Sequence, residues 1–191
     1  MSLSEALTKS GKIKQDLIDM ASIVIPLSNV QALQANLNLL ESEITATDNR
    51  QHFAEFYAVM PGDNASSIVA GDSIDFPSDG AFYGSSIIRS GVSLYEFILA
   101  EVGVYKVSFQ ASIAEAGQLG ILLNGVLVPK SIVGKDSLDG QLVCSCLISV
   151  SVVNSTLSIV NPLGSLSSLT LTASAGGASA VSANLLIERL Y

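Results

Sequence analysis

From position 53 onward the chain alternates apolar and polar residues with a period of two, and no other feature narrows the possible folds as far. Between Val104 and Ile113, Tyr105, Val107, Phe109, Ala111 and Ile113 fall on one side, and Lys106, Ser108, Gln110 and Ser112 on the other. Successive side chains of a strand point to opposite faces, so this segment is a strand with one buried and one wet face. The alternation returns at Leu142–Val152, Leu157–Ile159, Leu169–Leu171 and Val181–Ile187, with Gly, Ser and Asn turns between. No helical pattern of any length intervenes. Asn124-Gly125, set between Ile121-Leu122-Leu123 and Val126-Leu127-Val128, is the strongest short-range hairpin signal a sequence offers. About eight to ten strands in about 140 residues imply an all-β sandwich or jelly roll.

The first 50 residues differ in kind. They hold one glycine, Gly11, and the other fourteen follow position 53. Val30, Leu33, Leu37, Leu40 and Ile44 recur at spacings of three and four, the seam of a coiled coil. Pro26 ends the preceding Ile23-Val24-Ile25 stretch, and Ser28 with Gln31 three residues on forms a capping box. The spacing therefore predicts a helix over 29–46. It fits a coiled-coil neck, or an amphipathic helix packed on its own head. Val30 and Ile44 at one seam position, with Leu33 and Leu40 at the other, lean toward two strands, so the expectation of a trimer comes from the head. Ile13, Leu17, Met20 and Val24 predict a second short helix, and residues 1–25 are expected to dock on a filament or surface anchor protein. The expected organisation is a helical neck or docking segment over 1–50 and a β head over 51–191.

Composition bears on partners. Hydrophobic residues make up 49% and charged residues 14%, against roughly 25% charged in an average domain. That shortage predicts more burial than a monomer achieves, hence an oligomer. Apolar runs such as Ile121–Leu123 and Leu185–Ile187 fall far short of the ~20 residues of a membrane helix, so no membrane span is expected. The start, Met1-Ser2-Leu3-Ser4-Glu5, predicts no Sec-type signal. A net charge of −8, with Arg89, Lys106, Lys130, Lys135 and Arg189 scattered, argues against nucleic acid. Cys144 and Cys146 sit two apart on one strand face, an arrangement of core thiols rather than of a bridge.

The search for chemistry comes back thin. Gly71-Asp72-Ser73-Ile74 matches the nucleophile block of one lipase and esterase class, whose base is a downstream histidine, and the sole histidine, His52, lies upstream. One His and two close Cys do not make a tetrahedral zinc site in one chain, which leaves only a ring of three His52 on a trimer axis. Gly134-Lys135 lacks the first glycine of a phosphate loop, with Pro129 in its place. Asp63, Asp72, Asp75 and Asp79 form an acidic loop that fits a solvated rim better than a calcium site. Asn64-Ala65-Ser66 and Asn154-Ser155-Thr156 fit a glycosylation pattern and equally a turn. Tyr57, Tyr105 and Phe109 are candidates for the core or for a threefold interface. No enzyme, cofactor or metal is expected, and a cell-surface glycan or receptor stands as a candidate partner.

Gly103-Val104-Tyr105-Lys106-Val107-Ser108-Phe109, with Phe97 six positions before the glycine, resembles the central signature of the tumour-necrosis-factor and complement globular-head superfamily. Val107 stands where that signature prefers an aromatic. Phe56–Ala65, Phe76–Gly80, Gly117–Leu119, Leu123–Gly125, Asn154–Leu157 and Val181–Ala183 resemble the C-terminal domain of BclA-type exosporium glycoproteins. The resemblance implies a tumour-necrosis-factor-like jelly roll, a compact homotrimer, and a place at the tip of a spore-surface filament whose trimerisation the head drives. The family's collagen stalk needs glycine at every third position, and residues 1–52 hold only Gly11, so the stalk here is of another kind. A helical neck before a trimeric β head also resembles phage tail fibres and adhesin tips, which implies a receptor-binding alternative on a virion.

Overall fold

The computed structural model describes residues 3–22, 26–48, 51–59, 62–64, 67–172 and 181–191. The chain divides into two compact units, Met1–Arg50 and Gln51–Tyr191. The first holds helix α1 (Leu3–Ser22) and helix α2 (Leu27–Asp48). α1 is 20 residues long, longer than the short helix expected. α2 opens two residues earlier than predicted, because the Pro26 carbonyl takes the first helical bonds from Asn29 N (2.8 Å) and Val30 N (3.3 Å). Ser28 thus lies inside the first turn, and the predicted capping box is not the cap. Among the described residues no helix is long and apolar enough to cross a membrane.

The second unit is a two-sheet sandwich. One sheet has the order β2-β1-β11-β5-β9, built from β1 (Phe53–Val59), β2 (Ser78–Tyr83), β5 (Gly103–Ile113), β9 (Gly140–Val150) and β11 (Val181–Arg189). The other has the order β3-β4-β10-β6-β7, from β3 (Ile87–Arg89), β4 (Phe97–Leu99), β6 (Gly117–Leu123), β7 (Val126–Leu127) and β10 (Ser155–Val160), with β8 (Val133–Lys135) also paired to β6. From β4 onward the chain crosses between sheets at most connections, and β11 returns to lie beside β1. That winding is a jelly roll.

The alternation seen in the sequence holds along most of each long strand, but Ser112 at the end of β5 and Ser158 in β10, expected on wet faces, are buried. In β5, Tyr105, Val107, Phe109, Ala111 and Ile113 are buried, and in β9 so are Leu142, Cys144, Ile148 and Val150. β9 spans Gly140–Val150, two residues earlier at both ends than the predicted Leu142–Val152. Leu169–Leu171 does not form a strand: Leu169 bridges to Ile68 and Leu171 to Ile113, and pairing with two different partners builds no ladder. Asn124 and Gly125 hold φ of 50° and 74° in the turn joining β6 to β7, as a two-residue hairpin requires. At the centre, Phe97 packs on Phe56 (ring centroids 4.2 Å apart) and on Phe76 (6.1 Å). The Arg89 guanidinium lies 5.0 Å from the Phe56 centroid and is anchored by Asp79 at 2.5 Å.

Candidate functional site

The five-stranded sheet has an inner face committed to the core and an outer face that no element among the described residues of the second unit covers. Strand register lines up the outer side chains in rows across β1, β11, β5 and β9. Phe53, Glu188, Lys106 and Leu147 form one row; Glu55, Leu186, Ser108 and Ser145 the next; Tyr57, Asn184, Gln110 and Val143 the third. Of the two carboxylates in these rows, Glu188 is paired with a cation and Glu55 is held by a neutral amide. Lys106 Nζ donates to Glu188 Oε2 at 2.8 Å, and Asn184 Nδ2 donates to Glu55 Oε1 at 2.8 Å. Between them stand apolar groups left open to water, with Val143 60% and Leu147 49% exposed. Tyr83, from β2, stacks on Phe53 with centroids 6.4 Å apart and extends this surface to the sheet edge.

The three aromatic candidates separate on these two faces. Tyr105 and Phe109 are core residues, 0% and 2% exposed. Burial raises the Tyr105 phenol above its ordinary range, and the hydroxyl donates to the Glu101 carbonyl at 2.8 Å. Tyr57 alone of the three lies on the outer face, half-buried among its strand neighbours. In the first unit Val30, Leu33, Leu37 and Leu40 of the predicted seam are exposed, between 48% and 72%. The side chain of Ile44 lies outside the described residues, as does Val24.

The groups with chemical potential are engaged elsewhere. Ser73 bonds Ser158 Oγ at 3.3 Å, and Ile74 beside it is in the core, so Gly71–Ile74 is a packed edge segment. His52 instead meets Ser86. The Ser86 hydroxyl donates to Glu101 Oε1 at 2.8 Å, so its lone pair faces His52 Nδ1, which must carry the proton. Arg189 closes the chain on Glu101 Oε2 at 3.1 Å. A nucleophilic triad places the histidine between serine and carboxylate. Here the serine is in the middle and fully buried, so the cluster lacks the order of a nucleophilic triad and ties the start of β1 to the 84–101 region. The sequence held no signal for it, because the partners lie 34 and 15 residues apart across a turn.

The acidic loop does not converge either. Asp63 Oδ2 accepts from Val59 N at 2.6 Å, and Asp79 is paired with Arg89. Burial raises the Asp75 carboxyl, while Asn64 clamps the Asp75 main chain from both sides, at 2.7 and 2.9 Å. Among the described residues no three metal-capable side chains gather. Cys144 and Cys146 are free thiols, and burial with the adjacent Cys146 pushes the Cys144 thiol up to about 11.

No protein-family model matches the chain, and no curated protein matches it. Solved structures do. The globular domain of zebrafish complement 1qA is 10% identical with a TM-score of 0.46, covering 72% of this chain and 94% of that one. Murine APRIL at pH 8.0 is 7% identical with a TM-score of 0.47, covering 74% and 100%. PRD1 vertex protein P5 is 12% identical with a TM-score of 0.46, covering 73% and 97%. The second unit is a jelly-roll β-sandwich, an assignment that rests on the strand order given above.

Proposed function

We propose that this chain is a non-enzymatic structural head that self-associates as a homotrimer and forms the tip of a surface filament. The observation that carries the proposal is the outer face of the β2-β1-β11-β5-β9 sheet. Its exposed valine, leucine and aromatic groups lie beside a Lys106–Glu188 pair already made within the chain, and Glu55, the carboxylate of these rows without a cation, keeps the hydrogen bond from Asn184 when a second copy covers the face. The exposed seam of α2 offers a second contact of the same apolar kind. Three copies, and a spore-surface filament of the exosporium kind, are what the segment resemblances support. Residues 1–25 are then the attachment to a filament or surface anchor. The wiring of His52, Ser86 and Glu101 supports a head without catalysis. A receptor-binding tip of a phage fibre or adhesin is the alternative, favoured by an open groove where β5 hands over to β6.

Native mass spectrometry of the purified chain tests the assembly, with three copies expected. Val143→Asp together with Leu147→Asp is expected to yield monomers with an unchanged circular dichroism spectrum, since both residues are exposed in the single chain. A wild-type chain that stays monomeric at micromolar concentration, or a double variant that keeps three copies, refutes this face as the interface. Immunogold labelling of spores and of virions separates the two locations: signal on virions alone replaces the filament reading with the fibre tip.

A further inference from the structure

Cys144 and Cys146 are free thiols, and both point to the core side of β9. Cys144 is buried, while Cys146 is half-buried and packs on the edge of the core. Across the ladder they stand opposite Phe109 and Val107, both buried. The two side chains interact directly, thiol with thiol. β9 is the last strand of its sheet, and the half-buried Cys146 gives the pair a way to solvent.

Strand geometry decides what such a pair can do. Residues two apart in a strand are separated by about 6.7 Å, and their Cβ atoms stand side by side at about that spacing. A disulfide needs Cβ atoms roughly 3.5–4.5 Å apart. The backbone has no freedom to close the gap, because β9 pairs with β5 residue for residue from Gly140 to Val150 without a bulge. The thiols are therefore barred from a disulfide with each other. An ion held in a line between two sulfurs asks for less. At a metal–sulfur distance of about 2.3 Å, with the zinc–thiolate bond as the scale, the sulfurs stand about 4.6 Å apart, and each side chain reaches that by leaning roughly 1 Å toward the other.

The surroundings choose the ion. Among the described residues no third histidine, cysteine or carboxylate joins the pair. Zinc takes four ligands, calcium and magnesium take oxygen, and iron–sulfur clusters take four cysteines, so none of these fits. Two thiolates between apolar neighbours are a soft donor set, and of the ions that soft thiolates select, copper(I) is content with two. We infer that Cys144 and Cys146 bind one copper(I) ion per chain as a two-coordinate bis-thiolate at the edge of the core. Each thiol gives its proton to water and each sulfur forms a bond to copper, which stays copper(I), so no electron is transferred. The product carries one negative charge, which the half-open side at Cys146 leaves hydrated. Val143 and Leu147 lie on the opposite face of β9, so the site stands apart from the interface proposed above.

The test uses the full chain, reduced and free of oxygen, titrated with copper(I) in competition with the chromophoric chelator bicinchoninate. One equivalent per chain is expected to transfer to the protein, and zinc(II) in the same range is expected not to bind. Copper K-edge absorption should find two sulfur neighbours and neither nitrogen nor oxygen. Cys146→Ser and Cys144→Ala are each expected to abolish the transfer. The first changes a half-buried position and the second keeps a buried position apolar, and circular dichroism checks that the variants fold. No transfer to wild type overturns the inference, and so does transfer that survives either substitution, since the methionines or His52 then hold the ion. Native mass spectrometry showing the ion shared between two chains also overturns it. A loss of two hydrogens from a single chain on mild oxidation does the same, because the thiols would then have closed on each other.

Discussion

Replacing Asn161 with aspartate should unfold the head from its rim, and the cost follows from four contacts. Asn161 is fully buried. Its main chain accepts from Gly71 N at 2.7 Å and donates to Asp72 O at 2.9 Å, so the residue is pinned against the 68–73 segment. Its Nδ2 donates to Ile68 O at 3.0 Å and to Ser167 O at 3.1 Å, joining that segment to the 164–167 turn. Aspartate keeps the shape, removes both donors and sets a carboxylate against two carbonyl oxygens. An unpaired buried charge of this kind costs about 3–5 kcal/mol. At about 3 °C per kcal/mol for a domain of this size, the melting temperature should fall by roughly 10–15 °C near pH 7. The loss should depend on pH. Burial raises the folded pKa of the new carboxyl above its unfolded value of about 3.9, so the variant's stability is greatest below about pH 4 and declines as pH rises through the folded value. At low pH the neutral acid can also donate one bond. Thermal melts by circular dichroism at about pH 4 and about pH 7, each against wild type, measure both effects. A variant that melts within a degree or two of wild type near neutrality, or whose deficit does not shrink in acid, refutes the role assigned to Asn161.

Two further outcomes follow from local geometry. Gly84 holds φ +81°, and a Cβ there would stand 2.3 Å from His52 Cδ2, well inside contact distance, so Gly84→Ala should cost about 2–4 kcal/mol. Adding His52→Ala should recover the part due to the clash, a coupling that chemical denaturation of the double-mutant cycle measures. The Cys144 thiol, protonated throughout the neutral range, should resist alkylation in the folded chain, and mass spectrometry after iodoacetamide treatment should find it modified only as pH nears about 11 or on denaturation. Because its folded pKa lies above the unfolded one, this group's contribution to stability is complete below about pH 9 and is lost as pH rises toward 11.

Much of the fold was legible in advance because strand alternation is a local property. The buried and wet faces of β5 follow from residues two apart, and the Asn124-Gly125 turn needs only its own backbone preference. The helix expected at 29–46 was equally plain from seam spacing, though it opens two residues earlier, at Leu27, since the Pro26 carbonyl and not the Ser28 side chain takes the first amides. Leu169–Leu171 looked like a strand for the same local reason and failed for a non-local one: no single neighbour runs alongside it. The candidate site was less legible. Alternation showed that Tyr57 and Tyr105 belong on strands, but which face of β1 meets solvent depends on where the second sheet lies.

What the amino-acid order alone determined is therefore the alphabet of elements: two helices, then strands of period two, with a hairpin at 124–125 and one surface of each strand made for burial. The tertiary structure alone decided where side chains distant in sequence meet. Asn161 precedes Pro162 in what looks like an ordinary turn, yet its amide bonds a carbonyl 93 residues away. His52 finds Ser86, Asp79 finds Arg89, and the segments around Gly117, Gly134 and Gly164 enclose a groove for the same reason. Periodicity encodes which way a side chain points, whereas such meetings depend on the winding of the whole chain, which no short window of sequence contains.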